Sequence, residues 1–191
     1  MLRKTSVRLT LAFLAIACLM LTAAGVTAKD ERPGELEFKA NNAIYNAHGS
    51  FKRWHFTEVN IPDGDLTRGT VAFEVDLTSV WEKAQALADH LRAPDFFNVK
   101  KYPTATVKIH NAKAAGAADT YSAEAKIDFL GVSRTVPVNF KVTGTDPLRI
   151  EGTATMDRTA FNLGGPSHDA NNERSIVNSV SIMLNTTVAM P

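Results

Sequence analysis

Residues able to do chemistry are few and dispersed in this 191-residue chain. The histidines are His48, His55, His90, His110 and His168, and no pair has a ligand spacing such as His-Glu-x-x-His. His48 and His55 lie in a strand-rich region, and their odd separation aims them at opposite faces of an unbroken strand. His168-Asp169 with Glu173 forms a histidine–carboxylate cluster within the polar loop Pro166 to Arg174. Ser167-His168-Asp169 holds the residue types of a hydrolytic triad, but sequence neighbours do not point into one catalytic line. No Gly-x-Ser-x-Gly elbow and no phosphate-cradling glycine loop accompanies them. The single cysteine, Cys18, leaves no thiolate cluster. These patterns predict no metal site, no catalytic residue and no cofactor; a hydrolase built on His168 is the enzymatic alternative.

Charge narrows the partners. The chain carries 21 Lys and Arg against 20 Asp and Glu, and Arg3, Lys4 and Arg8 stand in an N-terminal segment without an acid. Beyond that segment acids outnumber bases, so nucleic acid is not an expected partner. The segment itself has three parts: a basic start, the apolar run Leu11 to Leu21, and small residues at Val26-Thr27-Ala28. The run is well short of the roughly 20 residues a spanning helix needs. Residues 1–28 therefore read as a secretory signal removed after Ala28, and residues 29–191 as one domain held without disulfides. An uncleaved anchor and lipidation at Cys18 are the rival readings.

The elements that must position any site are mostly strands. In Thr70 to Thr78 the large apolar groups alternate, and Thr104 to His110, Tyr121 to Phe129, Leu148 to Met156 and Val180 to Val188 do the same. One wet and one dry face is antiparallel-sheet behaviour. Gly116 to Asp119, Leu130 to Ser133 and Thr143 to Pro147 read as turns between neighbours, and Pro137 as an edge or bulge position. Val80, Ala84, Leu87, Ala88 and Leu91 have helical spacing instead, Ser79-Val80-Trp81-Glu82 resembles a capping box, and Pro94 stops the run. One helix at about 80–92 cannot cover about eight strands. The expected fold is therefore all-β: an antiparallel, lipocalin-like barrel with a single lid helix.

The inward faces predicted from this alternation are Phe38, Phe51, Phe73, Val75, Leu77, Val107, Ile109, Ile127, Phe129, Val138 and Phe140, and no charged residue recurs among them. Leu91 from the helix, Phe96 and Phe97 beyond it, and Trp54 in the stretch Phe51 to Phe56 complete the candidate lining and mouth. In that stretch Lys52 and Arg53 interleave with the rings, a pattern that reads either as an amphipathic rim or strand or as a mouth that meets an anionic head group through Lys52 or Arg53. Apolar alternation is what any barrel needs, so these residues leave a packed core and a ligand cavity both open.

The helix exit, Asp89-His90-Leu91-Arg92-Ala93-Pro94-Asp95-Phe96-Phe97-Asn98-Val99 followed by Lys101-Tyr102-Pro103-Thr104-Ala105-Thr106, closely resembles the signature of the YceI-like family. Gly49-Ser50-Phe51 is similar to its early Gly-x-Phe. Phe129 to Val138 is similar to its Gly-Val-Thr turn with a following Pro-Val. Asp157 to Gly164 resembles its late Arg-x-x-Phe-Gly segment, with Asn162 where a glycine is expected. The resemblance runs from about Glu35 to Val188 and implies secreted bacterial proteins of lipocalin-like fold that bind polyisoprenoids and other long-chain amphiphiles. It shifts the expectation to a hollow barrel: a non-enzymatic periplasmic carrier of an isoprenoid-type or fatty amphiphile. A transient contact with a membrane or a membrane redox protein is also open. A quinone-binding accessory of a redox chain and a ligand-free stress or interaction module are the alternatives.

Overall fold

The structure, a computed structural model, describes residues 32–41, 46–164 and 176–189. The N-terminal segment with Cys18 and the loop carrying His168, Asp169 and Glu173 lie outside the described residues. The strands are β1 (Gly34–Asn41), β2 (Asn46–Phe51), β3 (Trp54–Asn60), β4 (Thr70–Asp76), the short β5 (Val80–Glu82), β6 (Thr104–Ala114), β7 (Thr120–Phe129), β8 (Val132–Thr145), β9 (Leu148–Asp157) and β10 (Ser179–Val188). One α-helix, α1 (Gln85–Arg92), stands between β5 and β6. All strand pairs are antiparallel, in the order β3-β4-β6-β7-β8-β9-β10-β1-β2-β5.

The two ends of that order meet through the chain itself. β2 runs straight on into β3 across the corner Lys52–Arg53. Counted as one bent stave, β2 and β3 close the sheet into eight staves, with β5 an extra three-residue piece beside β2. The expected eight strands are thus ten described segments. The corner also corrects the histidine geometry. It shifts the in–out phase between Phe51 and Trp54, so His48 and His55 both point outward. The odd-separation rule holds for an unbroken strand, and this strand is broken.

Hairpin chemistry is local. Leu130 and Gly131 carry φ of 53° and 77°, the paired positive angles of a tight two-residue turn between β7 and β8. A Cβ on Gly131 would sit 3.3 Å from the Tyr102 ring, so the turn and the start of β6 close on each other there. Pro137 lies where β8 pairs with β7 alone; its pairing with β9 starts at Val138, so the missing N–H disturbs no ladder.

Three Asp-x-Thr sequences make three identical turns. In each, the aspartate side chain accepts the backbone N–H two residues on: Asp65 from Thr67 (2.9 Å), Asp76 from Thr78 (2.8 Å) and Asp157 from Thr159 (2.9 Å). Each starts a short 3-10 turn. The third ends at Asn162 with φ 56°, a left-handed position that asparagine tolerates nearly as glycine does. That geometry explains the replacement of glycine at 162.

The helix is shorter than its sequence pattern. Val80 belongs to β5, and the capping box does not form: Ser79 Oγ accepts from Arg53 N (3.0 Å) and donates to the Asp76 carbonyl (2.6 Å). Ser79 is consumed by the corner between β2/β3 and β4. The Glu82 carboxylate accepts instead from Ala84 N–H, and α1 starts only at Gln85. Arg92 ties the far end of α1 back through bonds to the Thr78 and Val80 carbonyls.

At the corner, Arg53 Nε donates to Asp76 at 2.8 Å. Burial works against ionisation of Asp76, but the Thr78 hydroxyl, the Arg53 guanidinium and the Thr78 N–H outweigh it, so its carboxyl lies below the usual carboxylate range. Asp65 and Asp157 are lowered by the hydroxyl and N–H of Thr67 and Thr159. Because these folded carboxyls titrate below their unfolded value of about 4, their stabilisation is complete above it and drains away as pH falls through the folded values. A urea midpoint followed downward from neutral pH should therefore drop through the acid range, and Asp76→Asn should flatten part of that drop. An unchanged slope in Asp76→Asn would refute the assignment.

Candidate ligand-binding cavity

Inside the barrel, alternation brings two groups of rings together. Phe97, 5% exposed, stands with its ring centroid 6.4 Å from Phe38, 5.8 Å from Phe51 and 5.7 Å from Phe129, and Phe161 continues the chain 5.8 Å beyond Phe129. Trp54, Phe56 and Phe73 form the second group, with centroids 5.4 to 6.4 Å apart. Edge-to-face and tilted contacts at these distances are favourable for aromatic quadrupoles. Ile61, Leu148 and Val188 are buried together at the end where β3 finishes and β9 starts, and they plug it. α1 and the Phe96–Phe97 turn lie at the other end.

Between plug and lid is a cavity of about 290 Å³, with walls almost entirely apolar. Small residues make the room: Ala40, Ala47, Ala105, Ala125, Gly152 and Ala154 all face it. Val138, Phe140, Ile150, Gly152, Ala154, Ile182 and Leu184 on the inner face of β8, β9 and β10 are only half-buried, as are Val107, Ile109 and Ile127 of β6 and β7. In a filled barrel they would be covered like Phe73 and Val75 of β4, which are 4% and 3% exposed. The uncovered wall therefore marks unfilled space.

Phe38, Phe51, Phe73, Val75, Leu77, Leu91, Phe96, Phe97, Val107, Ile109, Ile127, Phe129, Val138 and Phe140 line this cavity. Trp54 does not. It is 2% exposed, packs edge-on against Phe56 and Phe73, and stays within the wall. Its Nε1 has no hydrogen-bond partner among the described residues. Leu36, Val71, Ile182 and Leu184 also line the cavity and were legible in the same alternation, whereas Ile61 and Leu66 belong to non-repetitive backbone and gave no periodic signal.

Arg158 was not legible either, and it corrects the expectation of an uncharged interior. It borders the cavity at 2% exposure, and its guanidinium donates to the carbonyls of Leu163 (2.7 Å), Gly164 (3.0 Å), Ile176 (3.0 Å) and Val177 (3.2 Å). Burial lowers its pKa while neighbouring Asp157 raises it; an arginine remains charged all the same. Its fork joins the turn after β9 to the chain entering β10.

Other polar chemistry stays outside. His48 meets Glu37 (3.1 Å), His90 meets Asp95 (2.7 Å) and His110 lies 3.8 Å from Glu124, and none of these histidines faces the cavity. Among the described residues no group of three or more His, Cys, Asp or Glu is placed to hold a metal ion.

Gly49 sets the depth of the lid end. A Cβ there would stand 2.3 Å from the Phe38 ring and 2.8 Å from the Trp81 carbonyl, and Phe38 is held in turn by Phe51 at 5.6 Å and Phe97. Gly49→Ala should cost about 1–3 kcal/mol as overpacking forces the ring aside. A denaturant midpoint equal to that of the parent protein would refute the close approach.

An eight-stave antiparallel barrel, with one lid helix over an apolar interior cavity, defines a lipocalin-like class of protein. Residues 28–188 match the family model described as the YceI-like domain, and the chain belongs to that family. It is 28% identical over 191 residues to a UPF0312 protein of Pseudomonas aeruginosa, covering 90% of this chain and 95% of the relative. The solved structure of Burkholderia cenocepacia BcnA superposes with a TM-score of 0.71 at 20% identity, covering 82% of this chain and 96% of that one. A polyisoprenoid binding domain from Saccharophagus degradans, implicated in plant cell wall breakdown, superposes at 0.52 with 16% identity, covering 81% and 94%. At these identities the two structures speak for the fold alone.

Proposed function

We propose that the protein is a non-enzymatic carrier that holds one long-chain amphiphile, isoprenoid-type or fatty, inside the barrel. The observation that carries this reading is the half-buried inner wall of β8–β10 facing a 290 Å³ cavity. An apolar chain laid against that wall removes both surfaces from water, worth roughly 0.8 kcal/mol for each methylene buried. The lining residues named from alternation are the proposed contacts. Leu87 and Leu91 of α1, with Phe96 and Phe97, cover the chain from the lid side. The family membership and the polyisoprenoid binding domain of like fold support the ligand class. The apolar wall, with the described histidines turned away from it, supports binding rather than catalysis. The three-part segment 1–28 supports export to a bacterial periplasm with the leader removed.

Mass spectrometry under native and then denaturing conditions, on protein purified from the cells that make it, tests the reading. A reproducible extra mass of a few hundred daltons, lost on denaturation, is the expected result and identifies the lipid. A clean unliganded mass together with no uptake from a membrane lipid extract would overturn it.

A further inference from the structure

Among the described residues, Trp81 is the large apolar side chain left in the open: it is 49% exposed, while Trp54, the other tryptophan of the chain, is 2% exposed. It stands on β5, the last strand in the sheet order, whose described pairing is with β2 alone. The Lys52 ammonium lies over its ring at 4.5 Å, and Lys83, two residues on, is exposed. Nearby acids already have partners. Asp76 takes Arg53, Asp89 takes Arg92, Glu37 takes His48, and Glu82 is buried and accepts from Ala84. Lys52 and Lys83 have no carboxylate partner among the described residues, so the charge left over around the indole is positive. An exposed indole beside free ammonium groups has the composition of a side-chain cluster that settles at a lipid–water interface, ring at the head-group level and lysines on anionic phosphates.

We propose that Trp81, Lys52 and Lys83 form the surface by which the protein docks on an anionic lipid bilayer. β5 leads directly into α1, whose Leu87 and Leu91 line the cavity, so docking through Trp81 sets the lid end of the barrel against the membrane. The inference goes beyond the carrier reading and is carried by surface residues alone. It would stand even if the cavity proved empty.

The test is tryptophan fluorescence with vesicles of phosphatidylcholine, with and without phosphatidylglycerol. The protein is expressed from the full sequence, and all variants are purified with the same N-terminus so that any contribution of that segment is shared. Trp54 supplies a constant buried background. A blue shift on adding phosphatidylglycerol vesicles, weakened by salt and absent in Trp81→Thr, is expected, with vesicle co-sedimentation lost in the same variant. Lys52→Gln and Lys83→Gln, which keep Trp81 in place and leave the barrel interior untouched, should each weaken partitioning about fivefold. No shift, an equal shift with phosphatidylcholine alone, or co-sedimentation that survives Trp81→Thr would each overturn the proposal. A shift that tracks protein concentration without vesicles would assign the surface to a second copy and overturn it too.

Discussion

Phe97→Ala should lower stability by about 3–5 kcal/mol, the cost of emptying a large buried aromatic site. The ring touches Phe38, Phe51 and Phe129 at centroid distances from 5.7 to 6.4 Å, so three strands and the lid turn lose a common partner at once. The same substitution widens the lid end of the cavity, which Phe97 lines. Bound lipid should therefore leave faster as well. Phe97→Leu keeps most of the volume and should cost under about 1.5 kcal/mol. Chemical unfolding read beside the rate of lipid loss separates the two effects. An unchanged midpoint together with an unchanged rate in Phe97→Ala would remove Phe97 from both roles.

Arg158→Met should be comparably severe, on the order of 3 kcal/mol or more, because buried carbonyls would be left without their donor. The methionine matches the arginine stem in length and fills its space, so the loss reports the hydrogen bonds to Leu163, Gly164, Ile176 and Val177. Arg158→Lys keeps the charge but not the planar fork that reaches several carbonyls together, and should rescue little. Near-parental stability in Arg158→Lys would show that charge, not the fork, is what the site requires. Hydrogen exchange at Leu163, whose N–H bonds the Arg158 carbonyl at 3.0 Å, would locate the damage to the turn after β9.

The contrast between these two residues explains what was legible beforehand. Phe97 belongs to a motif at the helix exit, and its neighbours Phe38, Phe51 and Phe129 fall on inward positions of strands. Arg158 sits in a turn, where no period says which way a side chain points, and its partners come from segments brought together by the fold. Trp54 belongs to the aromatic–basic stretch Phe51 to Phe56, whose composition does not say whether its ring reaches the cavity or packs against Phe56 and Phe73 within the wall. The helix start was misread for a related reason. Ser79 and Glu82 have the spacing of a capping box, but Arg53 and Asp76, distant in sequence, claim the serine hydroxyl first.

Local chemistry alone determined the all-β class, the hairpin turns, the inward apolar faces and the existence of a single helix before Pro94, since each rests on interactions within a few residues of chain. Tertiary structure alone decided that β2 and β3 form one bent stave that closes the barrel, that Ile61, Leu148 and Val188 plug one end, and that the wall of β8–β10 is left uncovered. Closure and unfilled volume depend on how side chains from opposite strands meet across the interior. Alternation along one strand carries the direction of each side chain but not the distance to whatever faces it.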